Sequence, residues 1–494
     1  MNILGLHIGH DAAACLVKDN RLVSMIEKER LTRSKHSRGY SEDIVDYVLQ
    51  DMPVEQLDAV AISINPSDAG GIRAALDGKP YAHGPRDLRP FDCEQFDIWI
   101  KGVRLPAYQV QHHHAHIASS YYLSGFTEAH GLSYDASYWP ENQTSGLFHC
   151  QGNKIYYKGC PNLNAGILYD QATRAIFGSW THAGKTMGLA AWGKPIPLPY
   201  APQDIDGTLK LRSNVAEGSD SAQIAATVQR YLEQDVARVL DGLNKELPIV
   251  ASGGTALNVV ANRQYEQFKD VFIAPYCTDA GLTVGGALYV LHHMHGAPLE
   301  RYKPAEVAFL GKDYGGPGLD GLGPVVDALV DNQPVFWHQG ASEQGPRALT
   351  HRSIFALPYS PDMKKLVSEE IKKREAFRPL APIVKAEACS KYFDVGPSHL
   401  TDFMLTNARV LDDRLKAITH IDGTARVQTV SKEVNAVVWQ LLDGVEKVTG
   451  DPILINTSLN VAGQPICETH TDTLQLFKEQ QRGLLWIDGE VQKK

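Results

Sequence analysis

Only seven cysteines occur in 494 residues, at 15, 93, 150, 160, 277, 389 and 467, and no two form a C-x-x-C pair. That scarcity excludes a disulfide frame and a cysteine zinc site, and reads as reduced thiols in a cytoplasmic protein. Long apolar runs are missing too: none approaches the roughly 20 residues that span a bilayer. The opening "MNILGLHIGHDAAA" has no basic segment ahead of Asp11, so no secretory leader is expected. Low-complexity tracts and short-period repeats are absent. Positive charge is in short supply: the net charge of −9 gives no overall attraction for nucleic acid or an anionic membrane.

What is present is an ordinary globular composition, 43% hydrophobic and 21% charged, in a chain too long for a single core. "NILGLHIG", "AAACLVK" and "RLVSMIEKERL" read as three strands, the last running into a helix, with "KDN" as a turn. At 131–158 "GLSYDASY", "TSGLFHC" and "IYYKG" repeat the arrangement, which predicts a duplicated α/β core. "ELPIVASGGTALNVVANRQ" (246–264) reads as strand, Ser-Gly-Gly turn and helix, either a plain turn or one that brings backbone N–H groups to a ligand. "HAGKTMGLAAWGKP" (182–195) reads as a Gly- and Lys-bearing loop. The Gly/Pro-rich stretch 296–325 reads as a domain crossing, and "QPVFWHQG" as the strand that opens the second domain.

Three groups of residues carry candidate chemistry. "QHHHAH" places four histidines in five positions. On a helix His112 and His116 stand at i and i+4 on one face, where two imidazoles can share a cation, or can simply pack. Two imidazoles rarely suffice, so Asp135 and Asp279, each beside small residues, are the candidate carboxylates. His10, after the first strand, reads either as a general base or as a turn residue bonded to backbone. Between His338 and Arg378 eight Lys/Arg stand against five Asp/Glu, a local balance of +3 in an acidic chain. With "ARVQTV" and "NTSLNVAG" further on, these basic residues alternate with apolar and turn residues. That pattern favours a small-anion pocket over a solvated face.

In order along the chain, "GHDAAACLV", "QHHHAH", "GKTMGLAAWGKP", "SGGTALNVVAN", "TDAGLTVGGALY", "GPRALTHRSI", "REAFRPLAP", "HIDGTARVQTV" and "NTSLNVAGQPI" resemble the motif series of the O-carbamoyltransferases. That family includes enzymes acting on nodulation factors and on antibiotics. The resemblance implies an actin/sugar-kinase-like domain over 1–320 and an α+β YrdC-like domain over 321–494. It implies ATP, accompanied by Mg2+, and carbamoyl phosphate as co-substrates, a carbamoyl-adenylate formed in the second domain, and transfer to a small-molecule hydroxyl in the first. By position, His112, His116, Asp135 and Asp279 correspond to the metal ligands, iron in such enzymes, although two His and two Asp suit manganese or zinc equally. His10 corresponds to the base of the transfer step. Lys185, Gly253, Gly254 and Asn258 correspond to an adenylate cradle. Arg347, Arg352, Lys372, Arg378, Arg426 and Ser458 correspond to contacts with carbamoyl phosphate and nucleotide.

Two positions depart from the family pattern. After Asp135 the chain reads "ASYWPEN" where a glycine-bearing turn is expected, and Thr350 stands where glycine is usual. The chain is also short for the family, which implies a trimmed acceptor-binding insertion. A homodimer is left open, and no nucleic-acid or membrane partner is expected. The competing readings are a hydrogenase-type carbamoylation factor, disfavoured by the missing C-x-x-C pairs, and a catalytically silent scaffold, disfavoured by the intact set of site residues.

Overall fold

The computed structural model describes residues 1–63, 93–135, 144–161, 163–196, 200–201, 210–211, 220–315 and 321–494. β1 (Ile3–His7), β2 (Ala13–Lys18) and β3 (Arg21–Glu27) form an antiparallel meander. Asp19 and Asn20, both at positive φ, make the tight turn between β2 and β3 that a right-twisted hairpin needs. β4 (Ala59–Ile62) adds parallel to β1, and β5 (Glu94–Ile100) and β6 (Val103–Gln109) complete the order β3-β2-β1-β4-β6-β5. β7 (Glu128–Tyr134), β8 (Ser145–Gln151) and β9 (Lys154–Gly159) repeat the meander. A two-stranded ribbon, β10 (Tyr200–Ala201) and β11 (Lys210–Leu211), precedes β12 (Ile249–Ser252) and β13 (Val271–Ile273). The last two add in parallel beside β7, giving β13-β12-β7-β8-β9. Three antiparallel strands followed by two parallel ones beyond the first strand thus occur twice. This is the duplicated α/β core that the repeated strand pattern predicts, where the resemblance implied one of actin and sugar-kinase type.

One helix pair joins the two sheets. Helix His112–Ser124 lies on β7 and β12, helix Leu282–Leu288 lies on β1 and β2, and the helices pack on each other. Their approach depends on missing side chains: a Cβ on Gly285 would fall 1.7 Å from the Ala115 carbonyl oxygen, and one on Gly5 2.2 Å from that of Thr283. Helix His112–Ser124 begins where the Gln111 side chain accepts from the His114 N–H and ends at Gly125, φ 74°.

The C-terminal part is a mixed sheet. It contains β14 (Val335–His338), β15 (Arg352–Ala356) and β16 (Ala381–Lys385), then, beyond the ribbon β17 (Asn407–Arg409)–β18 (Thr424–Arg426), β19 (Gln428–Val430), β20 (Ile453–Ser458), β21 (Leu484–Ile487) and β22 (Glu490–Lys493). The order is β19-β16-β20-β15-β14-β21-β22. Along β14, Val335 and Trp337 pack under helices Leu322–Val330 and Ala436–Thr449, while Phe336 faces the opposite core with Phe477. Trp337 and Trp486, register partners on β14 and β21, stack at 3.7 Å and pin that strand pair.

Three local expectations are corrected. The stretch after Ser252-Gly253-Gly254 is not an α-helix but the 3-10 turns Gly254–Leu257 and Ala261–Gln267. Asn258 interrupts it, its backbone extended and its side chain accepting from the Ala261 N–H at 3.0 Å. The 182–195 loop instead contains helix Ala183–Ala190. Within 296–325, Val307, Ala308 and Leu310 are buried in the first core, and the Leu310 carbonyl accepts from the Met25 N–H at 2.9 Å, so part of the crossing is packed structure.

Buried polar contacts fasten the two parts together. Arg30 donates to the Gly345 carbonyl at 2.8 Å, the Gly345 N–H donates to Glu27 at 3.2 Å, and Asn262 donates to the Leu405 carbonyl at 2.7 Å. No helix among the described residues is long and apolar enough to cross a membrane.

Gly285→Ala is expected to destabilise the protein by about 3 kcal/mol, because the new carbon meets backbone. Gly323→Ala, in helix Leu322–Val330 with open space around it, should stabilise by roughly 0.5–1 kcal/mol. Denaturant midpoints compare the two.

Candidate functional site

Every residue from His112 to Leu123 is buried, so each polar group on that helix needs a partner. His113 Nδ1 lies 2.8 Å from Ser133 Oγ, and His114 Nδ1 lies 3.0 Å from Gln111 Oε1. Ser119 and Ser120 donate to the carbonyls of His116 and Ala251. His112 and His116 face a different environment. Their Nε2 atoms lie 3.1 Å apart and converge on two carboxylates. Asp135 Oδ2 is 3.5 Å from His112 and 3.3 Å from His116, and Asp279 Oδ1 is 4.0 and 3.4 Å away. Asp135 directly follows β7, and Asp279 stands just ahead of helix Leu282–Leu288, so the glycine-spaced helix contact is what brings the four together.

Four donor atoms from two His and two Asp, all within 4.8 Å of one another and largely buried, fit a divalent cation. Without one, protons take its place. Burial disfavours a charged His116, but hydrogen bonds to Asp135 and Asp279 outweigh it and raise its pKa to about 9. Burial likewise opposes ionisation of Asp135 and Asp279, yet the imidazoles hold both below the usual carboxylate range. Cation binding must therefore displace protons.

His10 stands beside this cluster, Nε2 3.3 Å from Asp279 Oδ2, with Nδ1 donating to Asp11 at 3.1 Å. Asp11 also accepts from His36 at 2.6 Å, and the Trp180 ring lies 5.0 Å from His10 and 5.3 Å from His36. Burial lowers the His10 pKa, but Asp11, Asp279 and Asp135 together raise it to about 9. Neither His36 nor Trp180 is marked by spacing. Only the charged run "EKERLTRSKHSR" hints that this loop faces something anionic.

The adenylate candidates divide. Gly253, φ 102°, lies against the end of β7, where a Cβ would fall 2.2 Å from the Tyr134 oxygen, and a Cβ on Gly254 would lie 3.1 Å from Asp135 Oδ1. Both therefore border the metal-type cluster. Asn258 instead turns away to exchange hydrogen bonds with Gln229 at 2.8 and 3.0 Å. Lys185 pairs with Glu375 of the C-terminal part at 2.7 Å.

The basic residues gather into a chamber, with one exception. Arg347, Arg374, Arg378, Arg426 and Lys372 have lowered pKa values, first through burial and then, for most of them, through mutual repulsion; Arg347 falls to about 10 and Arg374 to about 9. The Nε atoms of Arg347, Arg374 and Arg426 are buried without a hydrogen-bond partner among the described residues. Half-buried guanidinium groups whose Nε donors are shielded and unbonded suit an anion. Lys372 Nζ donates to the Ser458 carbonyl and to Asn460 Oδ1, and at 3.1 Å to Ser458 Oγ. Lys35 arrives from the N-terminal part and feels Arg374 and Arg378, a contribution that only the docking of the two parts reveals. Arg347 also reaches the N-terminal part, donating to the Leu257 carbonyl at 3.3 Å. Arg352 is the exception. Its guanidinium is spent on the carbonyls of Gln339, Gly340, His351 and Glu468, at 2.8–3.2 Å, so it holds chain together and stands outside the chamber.

Thr350 adopts φ 96°, a region that suits glycine, and Asn435 donates to its hydroxyl at 2.8 Å. The altered turn after Asp135 lies outside the described residues.

The duplicated α/β core thus carries two groupings of opposite character, one of carboxylates and imidazoles and one of cations that mostly repel one another. The chain belongs to the carbamoyltransferase family: residues 2–102 and 202–288 match the family model described as the carbamoyltransferase N-terminus, and residues 326–494 the carbamoyltransferase C-terminus. Among its relatives are an uncharacterised protein of Synechocystis, 29% identical over 98% of this chain and 95% of the other, and nodulation protein NolNO of Sinorhizobium fredii, 28% identical over 95% and 76%. Nodulation protein U of Bradyrhizobium diazoefficiens is 26% identical over 100% and 98%.

Two outcomes follow. In the metal-free protein the His10 ring should titrate near pH 9 by NMR, and Asp279→Asn should move that midpoint down toward 6.5. The matching contribution to stability is complete below pH 6.5 and lost as pH rises through 9. Arg426→Gln, which removes one of several repelling cations, should raise the melting temperature in anion-free buffer and abolish stabilisation by added phosphate, whereas Arg352→Ala should lower it sharply.

Proposed function

We propose that this carbamoyltransferase is ATP-dependent and acts on a hydroxyl of a small molecule, a sugar or other natural product. The observation that carries this reading is the pairing of a cluster of half-buried cations, three of them with an unbonded Nε among the described residues, with a separate carboxylate–imidazole cluster. The first suits phosphates and the second a transfer step.

In the basic chamber, Arg347, Arg374, Arg378, Arg426 and Lys372 bind carbamoyl phosphate and the triphosphate of ATP. Atom balance requires phosphate to leave: water converts carbamoyl phosphate to carbamate and phosphate. A carbamate oxygen then attacks the α-phosphorus, the bond to the bridging oxygen breaks, and pyrophosphate departs. The cations offset the negative charge of both leaving groups. Carbamoyl-adenylate next binds beside Gly253 and Gly254, which border the carboxylate–imidazole cluster.

A divalent cation held by His112, His116, Asp135 and Asp279, iron by analogy with the family, would supply positive charge where AMP leaves. With both carboxylates committed to a cation, less charge holds His10 protonated. Asp11 still orients its Nδ1–H, leaving Nε2 to take the proton of the attacking hydroxyl. The hydroxyl oxygen bonds the carbamoyl carbon, the carbon–oxygen bond to AMP breaks, and a carbamate ester results.

Purified protein with ATP, carbamoyl phosphate and a panel of hydroxylated acceptors should release pyrophosphate and AMP, with one acceptor gaining a single carbamoyl group by mass spectrometry. His116→Ala should keep pyrophosphate formation and lose transfer, whereas Arg347→Ala should lose both. Folded protein that binds ATP but never forms pyrophosphate would overturn the reading.

A further inference from the structure

We propose a second divalent-metal site, formed by His338, His470 and Asp488 at the end of the β14–β21 strand pair, far in the fold from the helix that carries His112 and His116. His338 closes β14 and is fully buried; Asp488 directly follows β21; His470 opens helix His470–Lys478. The stacked Trp337 and Trp486 hold the two strands in register, which sets His338 beside Asp488, and the Asp488 N–H donates to the His338 carbonyl at 3.0 Å.

His338 is prepared as a ligand. Its Nδ1 lies 2.7 Å from Thr473 Oγ1, and its buried Nε2 has no hydrogen-bond partner among the described residues. A histidine that donates Nδ1–H to a neighbouring oxygen presents a bare Nε2 lone pair, the arrangement metal-ligating imidazoles adopt. A buried imidazole nitrogen left unbonded is otherwise costly. The His470 ring lies 4.6 Å from it, edge on, and His470 Nε2 is 2.9 Å from Asp488 Oδ2. Asp488 Oδ1 accepts from the Gly340 N–H at 2.7 Å, which fixes the carboxylate while leaving Oδ2 for an ion. One ligand atom from each of the three lies within 4.8 Å of the others.

Two imidazoles and one carboxylate match a zinc-type set with a fourth position for water or a small ligand. His470 is 37% exposed, which opens that position to solvent. Such an ion would tie the ends of β14 and β21 to the start of helix His470–Lys478, next to Glu468. Glu468 accepts from Ser342 at 2.7 Å and from Tyr47 of the N-terminal part at 2.5 Å, so the ion would brace the joint between the two parts.

The test is zinc stoichiometry of the full chain, by elemental analysis after equilibrium dialysis against zinc alone. It is made in a His116→Ala background so that the first site does not contribute. One equivalent should remain and should be lost in His116→Ala/His470→Ala, where the second change falls on a partly exposed ring that the fold tolerates. Thr473→Val, which removes the acceptor for Nδ1–H, should weaken binding roughly 10- to 100-fold. Zinc content unchanged by His470→Ala, or no equivalent to lose in the His116→Ala protein, overturns the proposal.

Discussion

A backbone-to-backbone contact underlies the carboxylate–imidazole cluster. Helices His112–Ser124 and Leu282–Leu288 cross so closely at Gly285 and the Ala115 carbonyl that no side chain fits between them. Each helix lies on a different sheet, so their contact fixes the relation between the two halves of the duplicated core. It also places Asp279, just before the second helix, within 3.4 Å of His116 on the first. Widening that crossing by the volume of one methyl group would draw a carboxylate away from the imidazoles and separate His10 from its charged neighbour.

The two compartments share an electrostatic logic of opposite sign. In one, carboxylates and imidazoles are buried together and hold protons that a cation would displace. In the other, half-buried guanidinium groups and the buried Lys372 ammonium crowd together, and their pKa values fall. Isolated buried charge is expensive, and like charges raise that cost. Both arrangements persist because the surrounding fold determines them. The Arg347 bond to the Leu257 carbonyl and the Lys185–Glu375 pair cross between the parts, so the basic cluster lies at their joint.

Some of this was legible residue by residue. The i, i+4 spacing of His112 and His116 and the strand-end position of Asp135 follow from helix and strand periods, which act over a few residues. The meander repeated at 131–158 announced the duplicated core for the same reason. Asn258 and Arg352 show the limit. Each sits in a motif that promised ligand contact, yet one is turned to Gln229 and the other is consumed by four carbonyls. Whether a polar side chain faces a ligand or its own backbone depends on which partners surround it, and those come from distant sequence. Thr350 carries a backbone angle that glycine would adopt more easily, a strain visible only once φ is known.

The sequence by itself determined the repeated strand meander, the paired histidines and the local surplus of basic residues, because these depend on composition and short periodicity. The tertiary structure alone decided that His10 is flanked by Asp11, His36 and Trp180, that Lys35 joins the basic cluster from the other part, and that His338 meets His470 and Asp488. Such groupings join residues separated by tens to hundreds of positions. Only packed sheets and helices bring them within the few ångströms over which hydrogen bonds and unscreened charges act.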